Sequence, residues 1–256
     1  MGNFKLEHVS YSSLNEYDQC PKKFYWNKVA GHKPKFNRLY FAFGHAVHEA
    51  LAAYYEGKIP NSHPTICDPI AVFESAFEKE KDTIEYIKGE TFEKALDIGR
   101  RLIKVFIGSG EKIWLQPKAV ENWFTVDMAN PLTGEKLGVK FKGIIDLVTV
   151  DDIVVEHKTS ASEWKQERVD SELQTSGYAL GFRLLTGRSP KAIVYNILVK
   201  QVRNPRFQTF ITYRDEGKMV LFFEWAKDIV GKINYGLYPY NRGKRCRTCV
   251  YRDICI

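Results

Sequence analysis

Apolar positions in the first part of the chain recur every three or four residues, the spacing of an amphipathic helix. Phe43, Val47, Leu51 and Tyr54, with Ala46 and Ala50 between them, predict one helix from about residue 41 to Gly57. Ser10, Ser12 and Ser13 offer N-caps to a shorter helix through LNEYDQC, which Pro21 interrupts. DPIAVFESAFEKEKDTIEYI and TFEKALDIGRRLIKVFIGSG predict two more, parted at Gly89. Past Pro117 the period shortens to two. KAVENWFTVDMA is rich in aromatic and β-branched residues, ANPLTGEK is a turn-rich connection, and LGVKFKGIIDLVTV and IVVEHKTS read as two strands joined by a tight loop. A helix from about Ser171 to Leu185, the strands KAIVYNILVKQV and FQTFITYR, and a helix from Asp215 to Gly231 follow. The tail KRCRTCVYRDICI is too short and too rich in cysteine to be a helix with its own core. No repeat, low-complexity tract or Pro/Gly/Ser linker forces a second domain. The pattern predicts one α/β domain: a helical part over about 1–116, a strand-rich core over about 117–214, and a C-terminal helix and tail over about 215–256.

Composition narrows the class. The chain has 256 residues, 44% hydrophobic and 27% charged, which excludes intrinsic disorder and a disulfide-stapled miniprotein. No uncharged apolar run approaches the roughly 18 residues that span a bilayer, and MGNFKLEHVS lacks the basic and apolar regions of a secretory signal. A cytoplasmic location is therefore expected, with no membrane partner. In a reducing compartment the five cysteines point to metal binding before disulfides. The net charge of +7 favours a polyanionic partner only weakly, since a solvated surface carries as much.

The chemistry concentrates in GIIDLVTVDDIVVEHKTS. Alternate strand residues share a face, so Glu156 and Lys158 project together and His157 points away. With an odd loop at Asp151 and Asp152, paired residue numbers add to about 302 and Asp146 lies opposite Glu156. A strict two-residue loop would place Asp146 on the other side. Two converging carboxylates with an ammonium two positions away suit a hard divalent cation and a developing phosphate charge. Ile144, Ile145, Val148, Val154 and Val155 mark the strands as buried, where Asp, Glu and Lys are rare unless paired or bound to metal. A plain ion pair at solvated strand ends is the alternative. His48, on the predicted helix, is by its own pattern either a packed helix residue or a ligand.

Cys246, Cys249 and Cys255 have the spacing C-x₂-C-x₅-C, and Cys20 stands far upstream, directly before Pro21. Four thiolates complete a set for zinc or for an iron–sulphur cluster. Cys67 has no partner by spacing and reads as a small buried residue. KRCRTCVYR and PKKFYW mix cations with aromatic rings, offering phosphate contacts and stacking surfaces if the two ends meet. The same cations would balance the charge of a thiolate cluster.

Asp146 with Glu156-His157-Lys158 resembles the PD-(D/E)XK nuclease signature, without the proline that often precedes its first acid. SYSSLNEYDQCPKKFYW, FGHAVHEAL and ELQTSGYAL, in this order, resemble the opening segment, the histidine motif and the Q-x-x-x-Y helix of its RecB-like branch. The split of one cysteine plus three resembles the iron–sulphur clasp of the CRISPR-associated RecB-like exonucleases and of the AddB nuclease domain. The resemblance implies a restriction-endonuclease-like α/β fold, a mixed central sheet flanked by helices, and a metal-dependent deoxyribonuclease, in exonuclease mode on DNA ends or single strands. It implies Mg²⁺ or Mn²⁺ held by His48, Asp146, Glu156 and the carbonyl of His157, with Lys158 acting on water and phosphate and Gln174 and Tyr178 orienting the site. Glu121 sits where such proteins often carry a further acid. The same resemblance implies a 4Fe-4S cluster on Cys20, Cys246, Cys249 and Cys255, with zinc as the other occupant, and recombination or CRISPR adaptation proteins as partners. A non-catalytic DNA-binding module and a redox-sensing cluster protein are the rival readings.

Overall fold

The structure, a computed structural model, describes residues 5–60, 68–110 and 115–255. Its centre is a mixed six-stranded sheet. Strands β4 (Pro117–Ala129), β5 (Lys136–Thr149) and β6 (Ile153–Ser160) run antiparallel in turn, β7 (Ala192–Val199) lies parallel to β6, and β8 (Arg206–Thr212) closes the edge antiparallel to β7. A two-residue strand, β1 (His8–Val9), adds in parallel to β5. The pattern of the sequence does not announce it, since two residues carry no alternation.

Helices cover both faces. On one lie α1 (Tyr11–Gln19), α7 (Leu173–Thr186) and α8 (Glu216–Asn234), packed on a core that includes Val148, Val154, Tyr195, Ile197 and Phe222. On the other lie α3 (Leu39–Glu56), α4 (Pro69–Glu80) and α5 (Phe92–Gly110), packed on Leu147, Val155, Val194 and Leu198. Between α1 and α3 the short helix α2 (Pro21–Phe24) runs into a π-helical turn at Tyr25–Val29. Adjacent residues of β6 and β7 thus enter different cores, which is why these strands read as continuous apolar runs.

Local chemistry sets the element ends. Ser10 and Ser13 form a reciprocal capping box at the start of α1, and Gly187, at φ +75°, ends α7 in the left-handed conformation. Two glycines seat α7 close on the sheet. A Cβ at Gly181 would lie 2.5 Å from the Phe124 ring and one at Gly143 2.4 Å from the same ring, so only hydrogen fits on either side of it.

Two predicted helices differ from expectation. The one predicted to continue to Ile87 ends at Glu80, and Ile84–Glu85 (β3) instead pairs in parallel with Asn37–Arg38 (β2). The one predicted from about Ser171 is α7, which starts at Leu173, and an unpredicted short helix, α6 (Gln166–Ser171), precedes it across a break where Glu172 is extended. The buried Arg214 guanidinium holds that break by donating to the carbonyls of Val169 and Glu172, at 2.9 and 3.1 Å. Cys67 lies outside the described residues.

Candidate active site

The site forms where the sheet opens. Leu147 pairs with Val155 and Val148 with Val154, the register whose partner numbers add to 302, and there the β5–β6 ladder stops. The next pair would be Asp146 and Glu156. Instead of a ladder bond, the Asp146 carboxylate accepts the His157 N–H at 2.7 Å, while β6 continues alongside β7. Neighbouring strands change face at the same level. Ile145 packs in the first core and Leu147 in the second, although alternate residues of a regular strand share a face; Phe124 and Val120 of β4 do the same. Between Phe124 and Val120 lies Glu121, opposite Asp146, with φ +45°. A left-handed glutamate is uncommon and costs on the order of 1 kcal/mol, so its persistence in a strand marks a constrained position.

One layer contributes His48 from α3, whose Nδ1 is 3.3 Å from Asp146 Oδ1. His48, Glu121 and Asp146 each offer a ligand atom within 4.8 Å of the others, the one such trio of His, Cys, Asp or Glu among the described residues. From the other layer, Lys158 pairs with the Glu156 carboxylate and donates to Gln174 Oε1 at 2.6 Å, and the Gln174 amide donates to the Tyr178 hydroxyl at 2.7 Å. The four-residue spacing of Gln174 and Tyr178 on α7 makes that last bond.

The electrostatics are those of a site wanting a cation. Glu156 is 1% exposed, and its Oε2 is buried without a hydrogen-bond partner. Burial, and then the nearby Asp146, push its carboxyl up to about 7 against the pull of Lys158. Glu121 is pushed up to about 7 as well, by burial and then by Asp146. Burial also acts against ionised Asp146, but His48 and the His157 N–H outweigh it and hold the carboxyl at about 2. Burial disfavours a charged His48, yet Asp146 carries it up to about 9. A divalent ion among these groups would offset three carboxylates and displace the His48 proton, so its affinity rises with pH. The donor set of one imidazole and several carboxylate oxygens suits Mg²⁺ or Mn²⁺, and the orphaned Glu156 oxygen points to the same need.

His157 does two separate things. Its backbone N–H fixes Asp146, while its ring lies in the second core, stacked on Tyr55 at 5.5 Å and 3.3 Å from the Asn196 side chain. The ring is therefore no ligand, and burial holds it down at about 4.

The cysteines come together differently. Cys20, Cys246, Cys249 and Cys255 line one cavity of about 520 Å³, with Trp26, Tyr240 and Tyr251 in its wall. No three of their sulphurs fall within 4.8 Å of one another, so the thiols share a cavity without forming cluster geometry. A zinc tetrahedron with Zn–S bonds near 2.3 Å needs sulphurs only about 3.8 Å apart. The basic residues beside them are less free than their sequence suggests. Lys23 pairs with Glu16 at 3.1 Å, Arg252 with Glu85 at 2.9 Å, and the Lys22 ammonium lies over the rings of Tyr25, Trp26 and Tyr240. Arg245 and Arg247 are exposed. Among the described residues no helix is long and apolar enough to cross a membrane.

The resemblance placed Glu121 only loosely, and its signal in the sequence is faint: one acid in an aromatic strand. A family model described as the PD-(D/E)XK nuclease superfamily matches residues 8–256. No curated protein matches. Among solved structures, that of a "Putative exonuclease" from Eubacterium rectale is similar, with a TM-score of 0.59 and 16% identity over 98% of this chain and 89% of that one. The crystal structure of SSO0001 gives a TM-score of 0.39 and 16% identity over 92% of this chain and 93% of that one.

Proposed function

We propose that this chain, which belongs to the PD-(D/E)XK nuclease superfamily, is a Mg²⁺- or Mn²⁺-dependent deoxyribonuclease of the RecB-like branch, working in the cytoplasm as an exonuclease on DNA ends or single strands. The observation that carries the reading is the opened sheet. There a buried carboxylate with an orphaned oxygen, a carboxylate–imidazole pair and a tethered ammonium meet.

His48, Glu121, Asp146 and Glu156, with the carbonyl of His157, are the residues that would hold the cation. When bound, it supplies positive charge that lowers the pKa of water and draws charge from a phosphoryl oxygen. The rest falls to the chain itself. Lys158, charged and held by Glu156 and Gln174, donates a hydrogen bond to the attacking water or to a non-bridging oxygen as negative charge grows there. Tyr178 holds Gln174, and Gln174 holds Lys158, so the ammonium is aimed before substrate arrives. Water adds to phosphorus, one ester P–O bond breaks, and the water's protons end on the leaving alkoxide and the solvent. The products are a phosphate monoester end and a hydroxyl end.

For the second cavity the reading is a 4Fe-4S cluster on Cys20, Cys246, Cys249 and Cys255, with zinc as the alternative. What supports it is four thiols lining one cavity. Helical part, sheet and tail then act as one nuclease domain.

The test uses single- and double-stranded DNA labelled at either end, with and without Mn²⁺. Release of short products from an end, only with Mn²⁺, is expected. No cleavage by the wild type, or undiminished cleavage by Lys158→Ala, would overturn the reading.

A further inference from the structure

Arg38 is among the few buried charged residues outside the site, 5% exposed, and it stands directly before Leu39, the first residue of α3. No side chain caps that helix start. Its guanidinium works outward instead. Nη2 and Nε donate to the Thr248 carbonyl at 2.8 and 3.2 Å, and Nη1 pairs with Glu85 at 2.5 Å. The other oxygen of Glu85 accepts from Arg252 at 2.9 Å. Both arginines lie over the ring of Phe36, at 4.8 and 5.6 Å. Thr248 sits between Cys246 and Cys249, and Arg252 between Cys249 and Cys255. The segment bearing three of the four thiols is therefore fastened to the root of α3, and Arg38 is the residue of that root that holds it.

Ten residues along that helix is His48, about 15 Å away at the rise of an α-helix. The helix between is stiff, and its buried face, from Ala42 to Tyr55, is packed in the second core. A shift at its root is carried to its middle, where a metal ligand tolerates only a few tenths of an ångström. We propose that Arg38 is a positioning residue through which the thiol-bearing tail sets the place of α3 and hence the fit of His48 to the cation. The proposal rests on the metal reading above and adds to it a coupling between the two ends of the molecule. A tail displaced by loss of its thiols then weakens cation binding with Asp146, Glu156 and Lys158 intact.

The test is Mn²⁺ binding without DNA, by electron paramagnetic resonance of the free ion, in full-length wild type, R38Q, H48A and the double variant, with melting curves to confirm folding. Gln cannot bridge Thr248 and Glu85 together. The expected result is an affinity loss of about fivefold or more from R38Q in the wild-type background, and less than about twofold in the H48A background, where the ligand Arg38 positions is gone. The conservative R38K should recover part of the loss. An Arg38 that merely supports the fold would cost the same factor in both backgrounds; that result, or no loss at all, overturns the proposal. If R38Q does not fold, E85Q removes the same ion pair and is read by the same cycle. D146A separates the two claims. A wild type that binds Mn²⁺ through Asp146 but shows equal factors defeats the Arg38 coupling alone, whereas a wild type that binds no Mn²⁺ defeats the metal reading and the coupling with it.

Discussion

The opened sheet and the cysteine cavity are two polar assemblies of this molecule, and they are built in opposite ways. At the sheet, packed strands and a helix hold the groups from behind: Asp146 by a backbone N–H, Lys158 by Gln174, Gln174 by Tyr178. At the tail, four residues from the two chain ends meet in a cavity, and single contacts hold the segment in place: Arg38 to Thr248, the Tyr251 hydroxyl to the His32 carbonyl at 3.0 Å, and Asn241 to the Gln19 carbonyl at 2.8 Å. A packed core delivers finished geometry without its ion, whereas a tail brings ligands near one another and leaves closure to the occupant. The family assignment rests on a match over residues 8–256, both regions included, whereas an occupant of the cysteine cavity is a proposal.

The largest contrast should come from cutting each region at one atom set. Lys158→Ala is expected to lower cleavage by about 10²-fold or more with the protein still folded and any iron content unchanged, since it removes a charge that acts on the phosphate in the transition state. Single-turnover cleavage and iron analysis on one preparation check this. Cys249→Ser should do the reverse. Protein purified without oxygen is expected to lose its brown colour and to melt about 5 °C or more lower, with cleavage at saturating Mn²⁺ falling only as folded protein is lost. A colourless wild type containing zinc would exchange the occupant and keep the contrast.

A smaller effect sharpens the same comparison inside the site. Glu121 is ionised in the fold at a cost, because its carboxyl stands at about 7 against an ordinary 4.5. That cost is absent below pH 4.5 and complete above about pH 7. Glu121→Gln should therefore raise the melting temperature of the metal-free protein at pH 8, by about 2 °C for a half-buried group, and leave it unchanged at pH 4. Scanning calorimetry at the two pH values tests it. A gain of equal size at both would assign the effect to the strained backbone and not to charge. Mn²⁺ should reverse the order at pH 8, stabilising the wild type more than the variant.

Much of this was legible in one dimension. The stripe from Phe43 to Leu51 defines α3, and the apolar runs around Asp146 and Glu156 define two strands buried on both faces. With so short a loop between them, only a one-residue choice of register remained, and the chemistry of the charged residues favoured the one observed. The spacing of Gln174 and Tyr178 on one helix face was equally plain, because helix geometry acts within four residues.

What lies outside such short range belonged to the tertiary structure alone. No pattern announces that β4 and β5 change face at Glu121 and Asp146, since that follows from covering one strand pair with two separate cores. Nor does the sequence tell that a helix break at Glu172 is held by Arg214, or that Arg38 ties α3 to a segment 210 residues away. A buried arginine reads like any exposed one until its partners are known. The local rules of helix and strand operate over a few residues and were readable; the pairing of charges across the chain depends on which surfaces the cores bring together, and only the folded molecule decides that.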